Sequence, residues 1–191
     1  MNFLGHLYVS GNTPLVIVGN FMADEIKGRD LSKYHPDVER GIRMHRAIDS
    51  FTDRHPLQLE GRARVRQYAG RYSGVVMDMF YDHLLANDPF WWEDETLPDF
   101  AARMYTLLPE HAELMTERTQ HLLHYMVSRD WLNSYSTIDG IGKAISGLGR
   151  RVPKGESMIG VEHILEAHFD QFNEEFRSFL PELEHHIAQY V

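Results

Sequence analysis

Three pairs of polar residues share one spacing in this sequence. Asn20 and Asp24, His45 and Asp49, and Asp78 and Asp82 are each four residues apart, the separation that stacks two side chains on one face of an α-helix. Carboxylates and imidazoles so arranged either move protons or hold a cation. Ordinary helix packing does not ask for them at these places. Advancing ~100° per residue puts Val38, Gly41, Ile42 and Ile48 on one apolar stripe, with His45, Asp49 and Thr52 in its middle and Asp53 at its edge. Asp78 and Asp82 flank the apolar arc of Val75, Val76, Met79 and Phe80, and His83 falls inside it. Asn20 and Asp24 follow Leu15-Val16-Ile17-Val18, which is apolar all round and therefore buried. One such residue is ordinarily a satisfied core or capping group. Three helices that repeat the anomaly point to a shared polar or metal site. The chain has no cysteine, so any metal is held by nitrogen and oxygen, a set that suits Mn, Fe, Zn or Mg.

The elements that must position these groups read as helices. Thr13-Pro14 opens a helix that Gly28 closes, and Pro36 opens a second that runs to about Arg54 and stops at His55-Pro56. Leu57 to Gln67 is a short charged helix, and Ser73 to Asn87 is strongly periodic. Pro98 opens another. Glu110 to Arg129 reads as one long helix, Ile138 to Gly149 as a glycine-interrupted one, and Glu162 to Phe179 as amphipathic, with Pro181 starting a last turn or two. No Val/Ile/Thr alternation marks a strand. An all-α, single-domain helical bundle over residues 1–191 follows.

Composition narrows the function classes. With 43% hydrophobic and 25% charged residues, the chain is an ordinary globular one. Nineteen Lys+Arg against 28 Asp+Glu leave a net charge of -9, which argues against nucleic acid as a partner. No run is long and apolar enough to span a membrane, and Met1 to His6 has no signal-peptide character, so a cytoplasmic protein is expected. Positive charge is local. Arg40, Arg43 and Arg46 follow one side of the helix that carries His45, either a phosphate contact or a solvated face. Arg62, Arg64, Arg66 and Arg71, and the Arg150-Arg151 loop with Lys154, are candidate docking surfaces for an acidic partner.

These residues carry a wider pattern. Met1-Asn2-Phe3-Leu4-x-His6, Gly19-Asn20-Phe21-x-Ala23-Asp24 and the run from Arg40-Gly41-Ile42-Arg43-x-His45-Arg46 to Thr52-Asp53-x-His55-Pro56 resemble the acyl-carrier-protein phosphodiesterase family. Asp78-x-Phe80-Tyr81-Asp82-His83, Asp130-Trp131-Leu132-x-x-Tyr135 and Gly140-Ile141 continue it in order, over roughly residues 1 to 151. Gly5 and Tyr8-Val9-Ser10 depart from the residues common there.

The resemblance implies an HD-phosphohydrolase-like fold in which the adjacent pair is reversed, Asp82-His83. It implies hydrolysis of the phosphodiester that joins 4′-phosphopantetheine to the carrier-protein serine, with manganese as the metal and Mg²⁺, Fe²⁺ or Zn²⁺ also compatible with the ligands. A divalent cation acidifies water and offsets charge on phosphoryl oxygens. His45, Asp49, Asp24 and Asp82 are assigned as first-choice ligands, with His6 and Asp78 next. Arg46 and His55 are assigned to phosphate contact and leaving-group protonation, and Asn20, Asp53 and His83 to orienting the ligands from behind. Two other readings stay open: a phosphohydrolase of a nucleotide or other small phosphoester, and a non-catalytic helical binding module with a structural His/Asp network.

Overall fold

Prolines and short polar side chains decide where the helices start. In the computed structural model, which describes residues 1–191, Pro14, Pro36 and Pro56 each open a helix, where the missing N–H of proline costs nothing. Thr96, Thr116 and Thr137 cap others by accepting the backbone N–H three residues on. The chain runs α1 (Phe3–Tyr8), α2 (Pro14–Met22), α3 (Pro36–Thr52), α4 (Pro56–Ala69), α5 (Ser73–Asn87) and α6 (Leu97–Glu110). It continues through α7 (Glu117–Ser128), α8 (Trp131–Ser134), α9 (Ile138–Gly149), α10 (Glu162–Ala167) and α11 (Phe169–Ile187). No strand forms, and the elements pack as an all-α bundle.

Several boundaries differ from the sequence reading. The first helix stops at Met22 in a single tight turn, Ala23–Glu25, rather than reaching Gly28. The segment 110–129 is not one helix: a turn at Ala112–Leu114 interrupts it, and the Thr116 cap restarts it at Glu117. The amphipathic stretch from Glu162 breaks at His168, and Pro181 lies inside α11 rather than opening a new turn. A proline there gives up its N–H bond to the preceding turn and crowds the carbonyl of Arg177.

One cluster of 47 buried apolar residues forms the core. α5 runs through it with eleven of its fifteen residues buried, Ser73, Asp82 and His83 among them, so it is covered nearly all round. α11 covers it with aromatic rings, Phe172 on Phe80 and Phe179 on Tyr81, at centroid separations of 5.6 and 4.8 Å. α2 and α3 cross with backbones in direct contact. A Cβ on Gly19 would lie 2.2 Å from the Val38 carbonyl oxygen, and one on Gly41 2.1 Å from that of Val16. Only glycine fits at this crossing, and it brings Asn20 and Asp24 against His45 and Asp49.

Candidate metal centre

Asn20 is fully buried and organises the site. Its amide Nδ2 donates to the His6 carbonyl oxygen at 3.0 Å and to Ser10 Oγ at 2.7 Å. A carbonyl oxygen only accepts, so the amide orientation is settled and Oδ1 faces the other way. That oxygen lies 2.9 Å from His6 Nδ1 and 3.0 Å from His45 Nδ1. Both imidazoles therefore carry a proton on Nδ1 and turn Nε2 to the opposite side. Their rings stack with centroids 4.2 Å apart.

The two Nε2 atoms meet carboxylates. His6 Nε2 is 3.2 Å from Asp49 Oδ1, and His45 Nε2 is 3.3 Å from both Asp49 Oδ2 and Asp24 Oδ1. Donor atoms of His6, His45 and Asp49 all lie within 4.8 Å of one another. Bare nitrogen lone pairs facing ionised oxygens repel unless a cation stands between them. In the metal-free chain that cation is a proton on His45. Burial opposes the charge on His45, yet hydrogen bonds to Asp24 and Asp49 outweigh it and hold its pKa up to about 9. Burial and the neighbouring His45 keep His6 below the ordinary histidine range, against the pull of Asp49. The hydrogen bond from His45 holds Asp24 low; Asp49, although partial burial works the other way, is pulled far down by its bonds to His45 and His6. Loss of the His45 proton leaves two neutral imidazoles preset to present Nε2 beside two ionised carboxylates, a set that fits a divalent cation of the Mn, Fe, Zn or Mg kind. His6 and His45 are buried, whereas the Asp49 and Asp24 side chains are 47% and 73% exposed. The centre therefore opens to solvent on its carboxylate side, as a catalytic rather than a closed structural site does.

Other residues expected here are engaged elsewhere. The reading of Asp82 as a ligand is corrected: its buried carboxylate accepts from the backbone N–H groups of Asn2, Leu4 and Gly5 at 2.8–3.1 Å. It thereby closes the N-terminus of α1. Burial pushes Asp82 up to about 7, against those donors and the Met1 ammonium. Asp78 is likewise taken up, accepting from the Met1 ammonium at 3.1 Å and from Gln58 Nε2 at 2.8 Å. His83 leaves the site altogether, with Nδ1 donating to the Tyr135 carbonyl at 2.7 Å. His55 turns Nε2 to Glu182, and Asp53, exposed, pairs with Arg62. Arg46 donates to the Ile26 carbonyl at 3.1 Å, pinning the turn that carries Asp24 rather than facing a free anion. Arg40 and Arg43 pair with Asp37 and Glu39 on their own helix, the solvated-face alternative. Arg64 pairs with Glu175, while Arg150 and Arg151 stay exposed.

Ser10 belongs to the site without a periodic signal to mark it. It follows a six-residue helix, and its hydroxyl donates to the His6 carbonyl at 2.7 Å while accepting from Asn20. His6, ranked only as a reserve ligand on sequence, is central.

Comparison with known proteins bears on the same residues. The family model described as acyl carrier protein phosphodiesterase matches residues 1–183. A protein of that name from Yersinia enterocolitica is 31% identical over 185 residues, covering 95% of this chain and 94% of its own. Its namesake from Salmonella agona is 32% identical over 192 residues, covering 96% and 95%. The one from Photorhabdus laumondii is 30% identical over 185, covering 95% and 92%. No solved structure matches the chain at a significant level.

Proposed function

The chain belongs to the acyl carrier protein phosphodiesterase family, and we propose that it hydrolyses the 4′-phosphopantetheine–serine phosphodiester of holo acyl carrier protein. The products are apo carrier protein and 4′-phosphopantetheine. The observation that carries a metal-dependent reaction is the pair of Asn20-locked imidazoles presenting Nε2 to Asp49.

His6, His45 and Asp49 would hold the ion, for which Mn²⁺ is our choice, in an HD-phosphohydrolase-like bundle. When bound, such an ion lowers the pKa of water and screens charge on the phosphoryl oxygens. The chain's own part is mostly positioning, because phosphoryl transfer needs little covalent chemistry from a protein. Asn20 keeps both nitrogens aimed at one place. Asp24, exposed at the rim and released from the His45 proton once an ion is bound, would be the group to accept a proton or to complete the ligand set. Arg46 steadies Asp24 through the Ile26 carbonyl. No helix is long and apolar enough to cross a membrane.

Mass spectrometry of holo carrier protein incubated with the chain and Mn²⁺ tests this reading. The expected result is loss of the phosphopantetheine mass, stopped by chelation and by His45→Ala. Chelation should also lower the melting temperature, since a ligand that binds only the folded state stabilises it. Intact holo carrier protein after incubation with folded, metal-loaded protein would refute the assignment.

A further inference from the structure

Positive charge gathers at one cleft of the molecule. α4 and the start of α5 border a cleft of about 440 Å³ lined by Arg62, Arg66 and Arg71 together with Leu59 and Val75. Arg66 is exposed and has no hydrogen-bond or ion-pair partner within the protein. Arg62 has only the exposed Asp53 as its counterion. A Cβ on Gly74 would meet the Arg62 guanidinium at 3.1 Å, so the glycine keeps the room this side chain occupies. Leu59 and Val75 are 50% and 38% exposed, an apolar contribution to the same surface. The chain carries a net charge of -9, yet the lining of this cleft holds three arginines against two aspartates, Asp53 and Asp78.

Two segments that look separate in sequence meet here. Arg71 donates to the Pro153 carbonyl, and Tyr72 Oη donates to the same oxygen at 2.8 Å. The loop that carries Arg150, Arg151 and Lys154 is thereby tethered to the end of α4, on the face that holds the cleft. That face adjoins the metal centre by two routes. Asp53 lines the cleft and follows Asp49 by one turn of α3, about 6 Å along the helix. Asp78 lines it too and holds Met1, at the start of the segment that carries His6. These two carboxylates at the inner end disfavour a continuous polyanion such as nucleic acid. Discrete acidic side chains interspersed with apolar ones suit the surface better.

We propose that this cleft docks an acidic, partly apolar segment of the protein substrate and so places its phosphodiester at the neighbouring centre; the proposal rests on the carrier-protein reading above.

Arg66→Glu combined with Leu59→Glu tests it, with Arg129→Glu just after α7 combined with Leu114→Glu, also an exposed leucine, as a charge-matched control. Calorimetric binding of apo acyl carrier protein, which has no phosphodiester, is measured beside hydrolysis of holo carrier protein and of bis(p-nitrophenyl) phosphate. Melting temperatures check that the variants fold. The double variant should raise the Kd for apo carrier protein about tenfold or more, an effect that shrinks as salt rises. It should also lower the ratio of kcat/KM for the carrier substrate to that for the small diester by a similar factor, and the control should do neither. Cleft-dependent binding without hydrolysis would leave the docking surface standing and remove the proposed reaction. Hydrolysis and binding both unmoved by the double variant would leave the reaction and overturn the docking surface. Absence of carrier binding to the unmodified protein would overturn it as well.

Discussion

Replacing Asn20 by Leu separates the metal centre from the fold around it. The amide accepts from Nδ1 of His6 and His45 and donates to the His6 carbonyl and Ser10. Without it the carbonyl keeps the Ser10 hydroxyl as donor, so the unsatisfied groups are the two imidazole N–H donors. A buried donor left without a partner costs about 1–3 kcal/mol, but each ring has an escape: His6 can move its proton to Nε2 beside Asp49, and His45 can shed its Nδ1 proton and keep the one on Nε2 that Asp49 and Asp24 accept. The expected loss of stability is therefore modest, about 1–3 kcal/mol in all. The damage falls on the metal, because an Nε2–H cannot be a ligand. Loss of such a supporting group typically lowers metal affinity about 10–100-fold. Competition titration with a chelating dye measures the affinity, and ¹⁵N-detected correlation spectra of the imidazoles report which nitrogen carries the proton. In metal-free protein at a pH above the His45 value of about 9, the unmodified chain should show Nδ1–H on both rings and Asn20→Leu should show Nε2–H. Asn20→Asp, which keeps an acceptor for both N–H groups, should retain the original tautomers. Wild-type affinity and unchanged tautomers in Asn20→Leu would refute the reasoning.

Three further outcomes follow from other contacts. Asp82→Asn turns an amide donor toward backbone N–H donors, so it should cost about 2–4 kcal/mol, with faster hydrogen exchange at Leu4 and Gly5 as the local readout. Gly41→Ala pushes a methyl to 2.1 Å from the Val16 carbonyl and 2.8 Å from the Asn20 nitrogen. That should cost about 3 kcal/mol or more and weaken metal binding with it, whereas Gly147→Ala, with nothing within 4 Å, should stabilise α9 by about 0.5–1 kcal/mol in denaturant titrations. Asp88 is buried and held below the usual carboxylate range by Arg177. Because its folded pKa is depressed, its contribution is complete above the ordinary carboxylate pKa and is lost as pH falls through the lowered value. The melting temperature of the unmodified protein should fall more steeply on acidification than that of Asp88→Asn.

Helix content and the polar groups on apolar faces were legible because periodicity and proline placement are local. His45, Asp49, Asn20 and Asp24 could be grouped before any coordinates because each is paired at helical spacing. Asp82 shows the limit of that logic. It is paired at the same spacing, and it does satisfy a buried charge, but the partner is a helix N-terminus 77 to 80 residues away. Spacing reveals that a carboxylate needs a partner, not which one. His6 and Ser10 come from a helix too short to show a period, so their convergence on Asn20 is a tertiary fact. The same holds for Arg71 and the loop at Pro153, two segments that meet only in space.

α1 also bears on the order in which the molecule assembles. Six residues make too short a helix to persist in isolation. The groups that order it all come from later in the chain: Asp82 on α5 for its N-terminal N–H groups, Asn20 on α2 and Asp49 on α3 for His6. α1 can dock only onto a bundle in which those helices have already packed. α1 is therefore expected to be the last helix to settle, and the metal centre to be completed at the end of folding rather than to nucleate it. Pulse-labelled hydrogen exchange during refolding would show this as late protection at Leu4 and Gly5, after the amides of α3 and α5.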